Sequence, residues 1–355
     1  MKYTFEIQKL LFQAKDNKSL VPRDKINLLK QAAAIADEND DIEWGYDVRM
    51  ELIASTYKLS SDTDLVENFV WIVNARDEHP DWFDEADFLW EYKWVTNAMF
   101  HNSNVSTEQI DAIFEDFKTR LTRNGYGLRA YYERYYGRKM AARQYEEAKK
   151  YLDLRNELSQ DDMTNCQACT LDVEVDYYLE TGNFEEAYNR AQPLLTRQVT
   201  ACTYVPIRTF CKFAYYADKL EKASLAEEMK KEAIAGLESL DNDENIAEKT
   251  AMIISYLAGK DNEQAFYFLQ KSLPYYIADN DFGKYEYAKY LSEALGKLES
   301  LSSVKLELSP EFGAYRPDNT YSIKDLKEYF STIARQLAEA FDKRDNTDTY
   351  TKALL

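Results

Sequence analysis

Residues 177–195 read YYLETGNFEEAYNRAQPLL. From Phe184 onward, Phe184, Ala187, Tyr188, Ala191, Leu194 and Leu195 follow the i, i+3, i+4, i+7 spacing that gives a helix a single apolar stripe. Upstream, Tyr177, Tyr178 and Leu179 close another helical stretch, and Gly182 follows. Glycine takes the left-handed conformation just past a helix end without steric cost. The stretch therefore predicts helix, tight turn, helix.

The unit recurs. Tyr145-Glu146-Glu147-Ala148 matches Phe184-Glu185-Glu186-Ala187, and the same alanine phase returns at Ala226 and Ala265, each 39 residues after the last. Residues 255–273, SYLAGKDNEQAFYFLQKSL, repeat the turn with Gly259 in place of Gly182. An equal period across four units predicts a stack in which each helix pair buries its apolar stripe against its neighbours. The first part of the chain is helical without a clean period. Ile26, Leu29, Ala33 and Ala36 form one stripe, and Trp44, Val48, Leu52 and Tyr57 the next. Asp62-Thr63-Asp64 and Ser106-Thr107-Glu108 place short polar caps ahead of apolar runs, a helix-start pattern.

Residues 177–195 and 255–273 resemble tetratricopeptide repeats, with an aromatic or leucine before a Gly-containing turn and then a small residue packed between helices. The resemblance covers residues 127–297, and the period of 39 exceeds the ~34 of that family, so the units are degenerate. It implies an all-α fold, an α-α superhelix built as a right-handed stack of antiparallel helix pairs. On this reading residues 1–300 form the solenoid, 301–321 an irregular connection broken by Pro310 and Pro317, 322–343 a capping helix, and 344–355 a frayed tail.

Composition agrees and excludes several classes. The apolar share is 45% and the aromatic share 14%, which argues against disorder, and only 10 Gly and 7 Pro punctuate 355 residues. Lys and Arg number 44 against 63 Asp and Glu, a net charge of −19. Such a surface repels phosphate backbones and anionic lipid, so neither nucleic acid nor a membrane is expected as partner, and a basic peptide or protein suits it better. The start, Met1 to Ile7, lacks an apolar core of signal-peptide length, and no apolar run approaches the ~20 residues that span a bilayer. A cytoplasmic location is expected. A helical stack with uncapped ends can also self-associate into a homo-oligomer.

Motifs for chemistry are sparse. His79 and His101 are the two histidines, and both fall near predicted helix ends. Asn124-Gly125-Tyr126-Gly127 has no strand before it and reads as a loop, not a phosphate cradle. Cys166-Gln167-Ala168-Cys169 has the spacing of a zinc half-site, with Cys202 and Cys211 standing 33 and 42 residues further on. No second CxxC or nearby His completes it, so core cysteines and no metal are expected; a redox pair would need a βαβ setting that is missing.

The aromatics are the positive signal, with 28 Tyr, 17 Phe and 5 Trp. Trp90 and Trp94 share a face at i, i+4, and Tyr131, Tyr132, Tyr135 and Tyr136 cluster beside Arg138. Tyr, Trp and Arg are the residue types of binding hot spots, and these seven are the expected binding residues. Inter-helix packing, with each tyrosine hydroxyl left at the wet edge, is the ordinary account of them. The expectation is a non-catalytic protein- or peptide-binding scaffold with a tyrosine-rich, acidic concave face and no cofactor. The rivals are an acidic regulatory or immunity-type protein that neutralises or senses a partner, and an enzyme with an unrecognised site.

Overall fold

The turns between helices repeat as closely as the helices do. In the computed structural model, which describes residues 2–16, 22–58, 62–240 and 246–355, Arg143, Gly182, Glu221 and Gly259 all have positive φ, at 55°, 77°, 55° and 81°. Each terminates the first helix of a pair. At the first three the next residue's N–H reaches back to close the helix end: Gln144 to the Lys139 carbonyl, Asn183 to Tyr178 and Lys222 to Ala217, at 2.8–2.9 Å. Glycine was foreseen at two of these sites, and non-glycine residues bear the same geometry at the other two. A left-handed non-glycine residue costs about 1–2 kcal/mol, against roughly 0.5–1 kcal/mol for the chain freedom that glycine adds. Glu221→Gly is therefore expected to raise stability by about 0.5–1 kcal/mol, read as a higher urea midpoint with an unchanged slope.

Seventeen α-helices are present among the described residues. They are α1 (Lys2–Asp16), α2 (Pro22–Glu38), α3 (Ile42–Lys58), α4 (Asp62–Glu78), α5 (Leu89–His101), α6 (Thr107–Arg123), α7 (Arg129–Ala141), α8 (Tyr145–Asn156) and α9 (Gln167–Glu180). Then follow α10 (Phe184–Leu195), α11 (Ile207–Lys219), α12 (Ala223–Ser239), α13 (Ala247–Leu257), α14 (Asn262–Ala278), α15 (Asp281–Lys297), α16 (Ile323–Asp345) and α17 (Thr349–Lys352). The fold is all-α and superhelical. No helix among the described residues is long and apolar enough to cross a membrane.

The four phase-matched alanines explain the pairing. Ala148, Ala187, Ala226 and Ala265 are each 0% exposed, so each second helix approaches its partner where a larger side chain would not fit. In the opening helices Ile26, Leu29, Ala33, Ala36, Val48 and Leu52 are all buried as their stripes require. Ser106 caps α6 with a reciprocal bond from Gln109. α4 begins at Asp62; the Asp62 and Thr63 side chains lie outside the described residues.

The odd-numbered helices α9, α11, α13 and α15 lie side by side, while each even-numbered helix rests mainly on the odd helix before it. In a curved two-layer array the more closely packed layer is the inner one. The odd helices therefore line the inside of the curve.

Two features of the C-terminal part differ from the sequence reading. The connection at 301–321 contains a short antiparallel pair, β1 (Ser303–Lys305) and β2 (Thr320–Ser322), with Val304 opposite Tyr321. The residues after 344 are not frayed. Tyr350 is 1% exposed, its ring lies 5.0 Å from Phe341 and 5.8 Å from Tyr285, and its N–H donates to Asp342 at 3.0 Å. Its terminal position suggested a loose end, but Asp342 gathers the N–H groups of Tyr350 and Thr351 and fixes the tail.

This segment also joins distant parts of the chain. Arg344 donates to the carbonyls of Phe100 and Asn102 at 2.8 and 3.0 Å, and Thr349 Oγ1 donates to the Ala142 carbonyl at 2.7 Å. Ser103 donates to Asp281 through both N and Oγ. The superhelix thus curls until its C-terminal helices meet α5 and the end of α7.

Candidate functional site

The expected aromatic residues come together in part, and mostly as packing between helices. Tyr131 is 6% exposed and sits among Phe114, Tyr132 and Tyr135, with its hydroxyl donating to Glu115 of α6 at 2.8 Å. Tyr135 stacks on Tyr151 of α8 at 4.8 Å, and Tyr132 lies beside the same ring. Tyr136 turns the other way and donates to the Val173 carbonyl of α9 at 2.5 Å. Arg138 pairs with Asp111 across the α6–α7 seam. Trp94 is stacked on Tyr57 of α3 at 4.3 Å, and the Lys93 ammonium lies 3.1 Å over the Trp90 ring. Each of the seven is engaged by a neighbouring side chain or carbonyl of the chain itself.

The histidines are held by aromatic rings. His79 stacks on Trp82 at 4.4 Å, and His101 stacks on Phe282 at 4.8 Å. Burial, with the Arg344 and Arg134 charges behind it, lowers the His101 pKa to about 3 and keeps the imidazole neutral.

The inner face of the odd helices carries the chemistry that periodicity could not reveal. Asp172 of α9 accepts from Thr209 at 2.6 Å and pairs with Lys212 of α11 at 2.9 Å; Lys212 also reaches Asp176 at 2.7 Å. Arg143, from the turn after α7, joins Glu180 of α9 at 2.8 Å and Glu286 of α15 at 3.1 Å. Glu286 holds Lys289, and Tyr216 of α11 donates to Glu180. The network therefore crosses the inside of the curve between residues 143 positions apart. Its carboxylates are matched by cations, so the net charge of −19 belongs chiefly to other surfaces.

Two further cations stand on this face. The Arg208 Nε is buried and makes no hydrogen bond among the described residues, but it pairs with Asp172 at 3.7 Å, and the side chain as a whole is 32% exposed. Lys249 of α13 makes no ion pair within 4.0 Å among the described residues. Burial disfavours its charge, but Asp176 and Glu248 outweigh this and raise its pKa. No short motif marks either residue. The available signal was weaker: both are charged positions near the starts of first helices of repeat units.

Glu180 makes the electrostatics testable. Burial opposes its charge, yet Arg143, Lys289 and the Tyr216 hydroxyl outweigh burial and hold its pKa at about 2. The unfolded value is about 4.3, so in acid the unfolded chain takes up this proton first. Stability from Glu180 is then present above about pH 4.3 and lost as pH falls towards 2. Glu180→Gln is expected to be less stable than wild type at neutral pH and to lose less on acidification across that window. Urea midpoints of both proteins at several pH values check this.

Three of the four cysteines converge, and they are not the core stripe expected for them. Cys166 is exposed, Cys169 and Cys202 are half-buried, and only Cys211 is buried. The sulfurs of Cys166, Cys169 and Cys202 all lie within 4.8 Å of one another, with Cys169 and Cys202 at 3.2 Å. The 39-residue period brings the loop carrying Cys202 beside the start of α9. Cys211, nine residues on, turns into the apolar core of α11.

No family model matches the chain, and no curated protein matches it.

Proposed function

We propose that the chain is a non-catalytic scaffold of tetratricopeptide type that holds a peptide or protein segment against the inner face of α9, α11, α13 and α15. The observation that carries this reading is Lys249, a cation with no ion pair within 4.0 Å among the described residues, together with Arg208, which is 32% exposed and only loosely paired with Asp172 at 3.7 Å, on a face whose other charges are closely paired. An ammonium without a close partner and a loosely paired, part-exposed guanidinium in a polar surface can bind a carboxylate, and charge-assisted bonds of this kind fix a guest's register. Net charge alone favours a basic guest; the local arrangement favours a segment bearing a carboxylate, from Asp, Glu or a free C-terminus. The Tyr131–Tyr135 cluster supports the scaffold by packing α7 between α6 and α8.

The test is selection of a displayed random-peptide library on the immobilised protein, run in parallel on an Arg208→Ala, Lys249→Ala double variant. Enriched peptides are expected to carry a carboxylate and to lose at least about tenfold in affinity, roughly 1.4 kcal/mol, on the variant. Absence of enrichment, or equal binding to both proteins, contradicts the proposal.

A further inference from the structure

The thiol cluster at the start of α9 lies outside the inner face just described, and its geometry is that of a metal centre. We infer that Cys166, Cys169 and Cys202 bind one zinc ion through three thiolates, with a fourth, exchangeable position open to solvent.

The spacing comes first. A tetrahedral zinc with Zn–S bonds of about 2.3 Å sets its sulfurs about 3.8 Å apart. The three sulfurs lie within 4.8 Å of one another, and the closest pair at 3.2 Å, so shifts of an ångström or less reach that arrangement. A disulfide would use two of these thiols at about 2.05 Å and leave the third without a role. Three convergent sulfurs on two separate segments suit a metal better.

The backbone around the sulfurs is arranged for thiolates. Cys166 is the N-cap of α9, and the Cys169 N–H points at its sulfur at 3.4 Å, so both cysteines of the CxxC pair sit in the first turn, where the helix dipole favours negative charge. On the other side, Cys202 closes a tight turn by donating its N–H to the Val205 carbonyl at 3.1 Å. An N–H···S bond in the first turn of α9, facing a tight turn that carries the third sulfur, is an arrangement that apolar packing alone does not require.

Each ligating thiol gives its proton to solvent, so binding releases up to three protons and leaves a centre of net charge −1. Among the described residues no fourth His, Cys, Asp or Glu joins the group, and Cys166 is exposed, so the remaining corner faces water. Zinc here would tie the loop between α10 and α11 to the start of α9, fixing one repeat against the next.

The test uses Co2+ as an optical probe on the full chain, stripped with chelator and kept reduced by a phosphine. One equivalent is expected to give the intense thiolate-to-cobalt charge-transfer band with tetrahedral d–d bands, and Zn2+ should displace it. Cys169→Ser and Cys202→Ser should abolish the band, while Cys211→Ser keeps it. A second measurement needs no variant: Zn2+ should slow alkylation of the wild-type thiols other than Cys211 by at least about tenfold, because ligated thiolates are withdrawn from reaction. A folded, reduced wild type that shows no charge-transfer band overturns the inference. So does alkylation unchanged by Zn2+, or an equal loss of the band in Cys211→Ser.

Discussion

Replacing Arg155 by alanine is expected to lower the free energy of unfolding by about 3–5 kcal/mol. Arg155 is 0% exposed and is the meeting point of two carboxylates. Its Nη2 donates to Glu174 and to Asn156, and its Nη1 lies 3.9 Å from Glu133. Glu174 and Glu133 are themselves 4% and 3% exposed. Truncation leaves both carboxylates buried with less countercharge, and that uncompensated charge is the main cost, more than the lost contact area. Arg190 remains on Glu174 and Arg134 on Glu133, which keeps the loss below that of a fully isolated buried ion. Urea denaturation of the variant measures the effect. A loss below about 1 kcal/mol would mean that water reaches these carboxylates and the pair behaves as a surface one. Arg155→Ala combined with Glu174→Gln should recover part of the loss, with a coupling of about 1–3 kcal/mol.

Tyr350→Ala is expected to cost about 3 kcal/mol or more, since a buried aromatic is removed from a packed site. The ring is enclosed by Phe341 and Tyr285, and the Tyr285 hydroxyl donates to the Tyr350 carbonyl at 3.0 Å. The loss should also loosen the seam that Arg344 and Thr349 make with α5 and α7, so cleavage by a protease near residues 343–352 should speed up. A variant of wild-type stability and protease resistance would return the C-terminal residues to the frayed state expected of a chain end.

What was legible in the chain was set by period. Four alanines spaced 39 apart predicted four fully buried contact points, and Gly182 and Gly259 predicted left-handed helix ends. Arg143 and Glu221 in the same role were not legible, because the chain there tolerates a strain that glycine would relieve. Tyr350 escaped notice because its burial depends on Asp342 collecting backbone N–H groups, a feature with no residue-type signature. The site was harder still. Single-sequence reading ranks residues by type, so it favoured the dense tyrosines, whose partners are neighbouring helices. Arg208 and Lys249 carry no local pattern and acquire meaning only when α11 and α13 lie side by side. The CxxC pair was legible as a half-site, but its third sulfur depended on how a loop of the next unit folds back.

The central claim is that the inner face of α9, α11, α13 and α15 holds a guest. Amide hydrogen exchange of the full chain, with and without a peptide enriched in the selection, tests it most directly. The account predicts slowed exchange concentrated in those four helices, strongest around Arg208 and Lys249, with the even-numbered helices unchanged. Protection centred instead on the even-numbered helices, or on the Tyr131–Tyr135 segment alone, would contradict it.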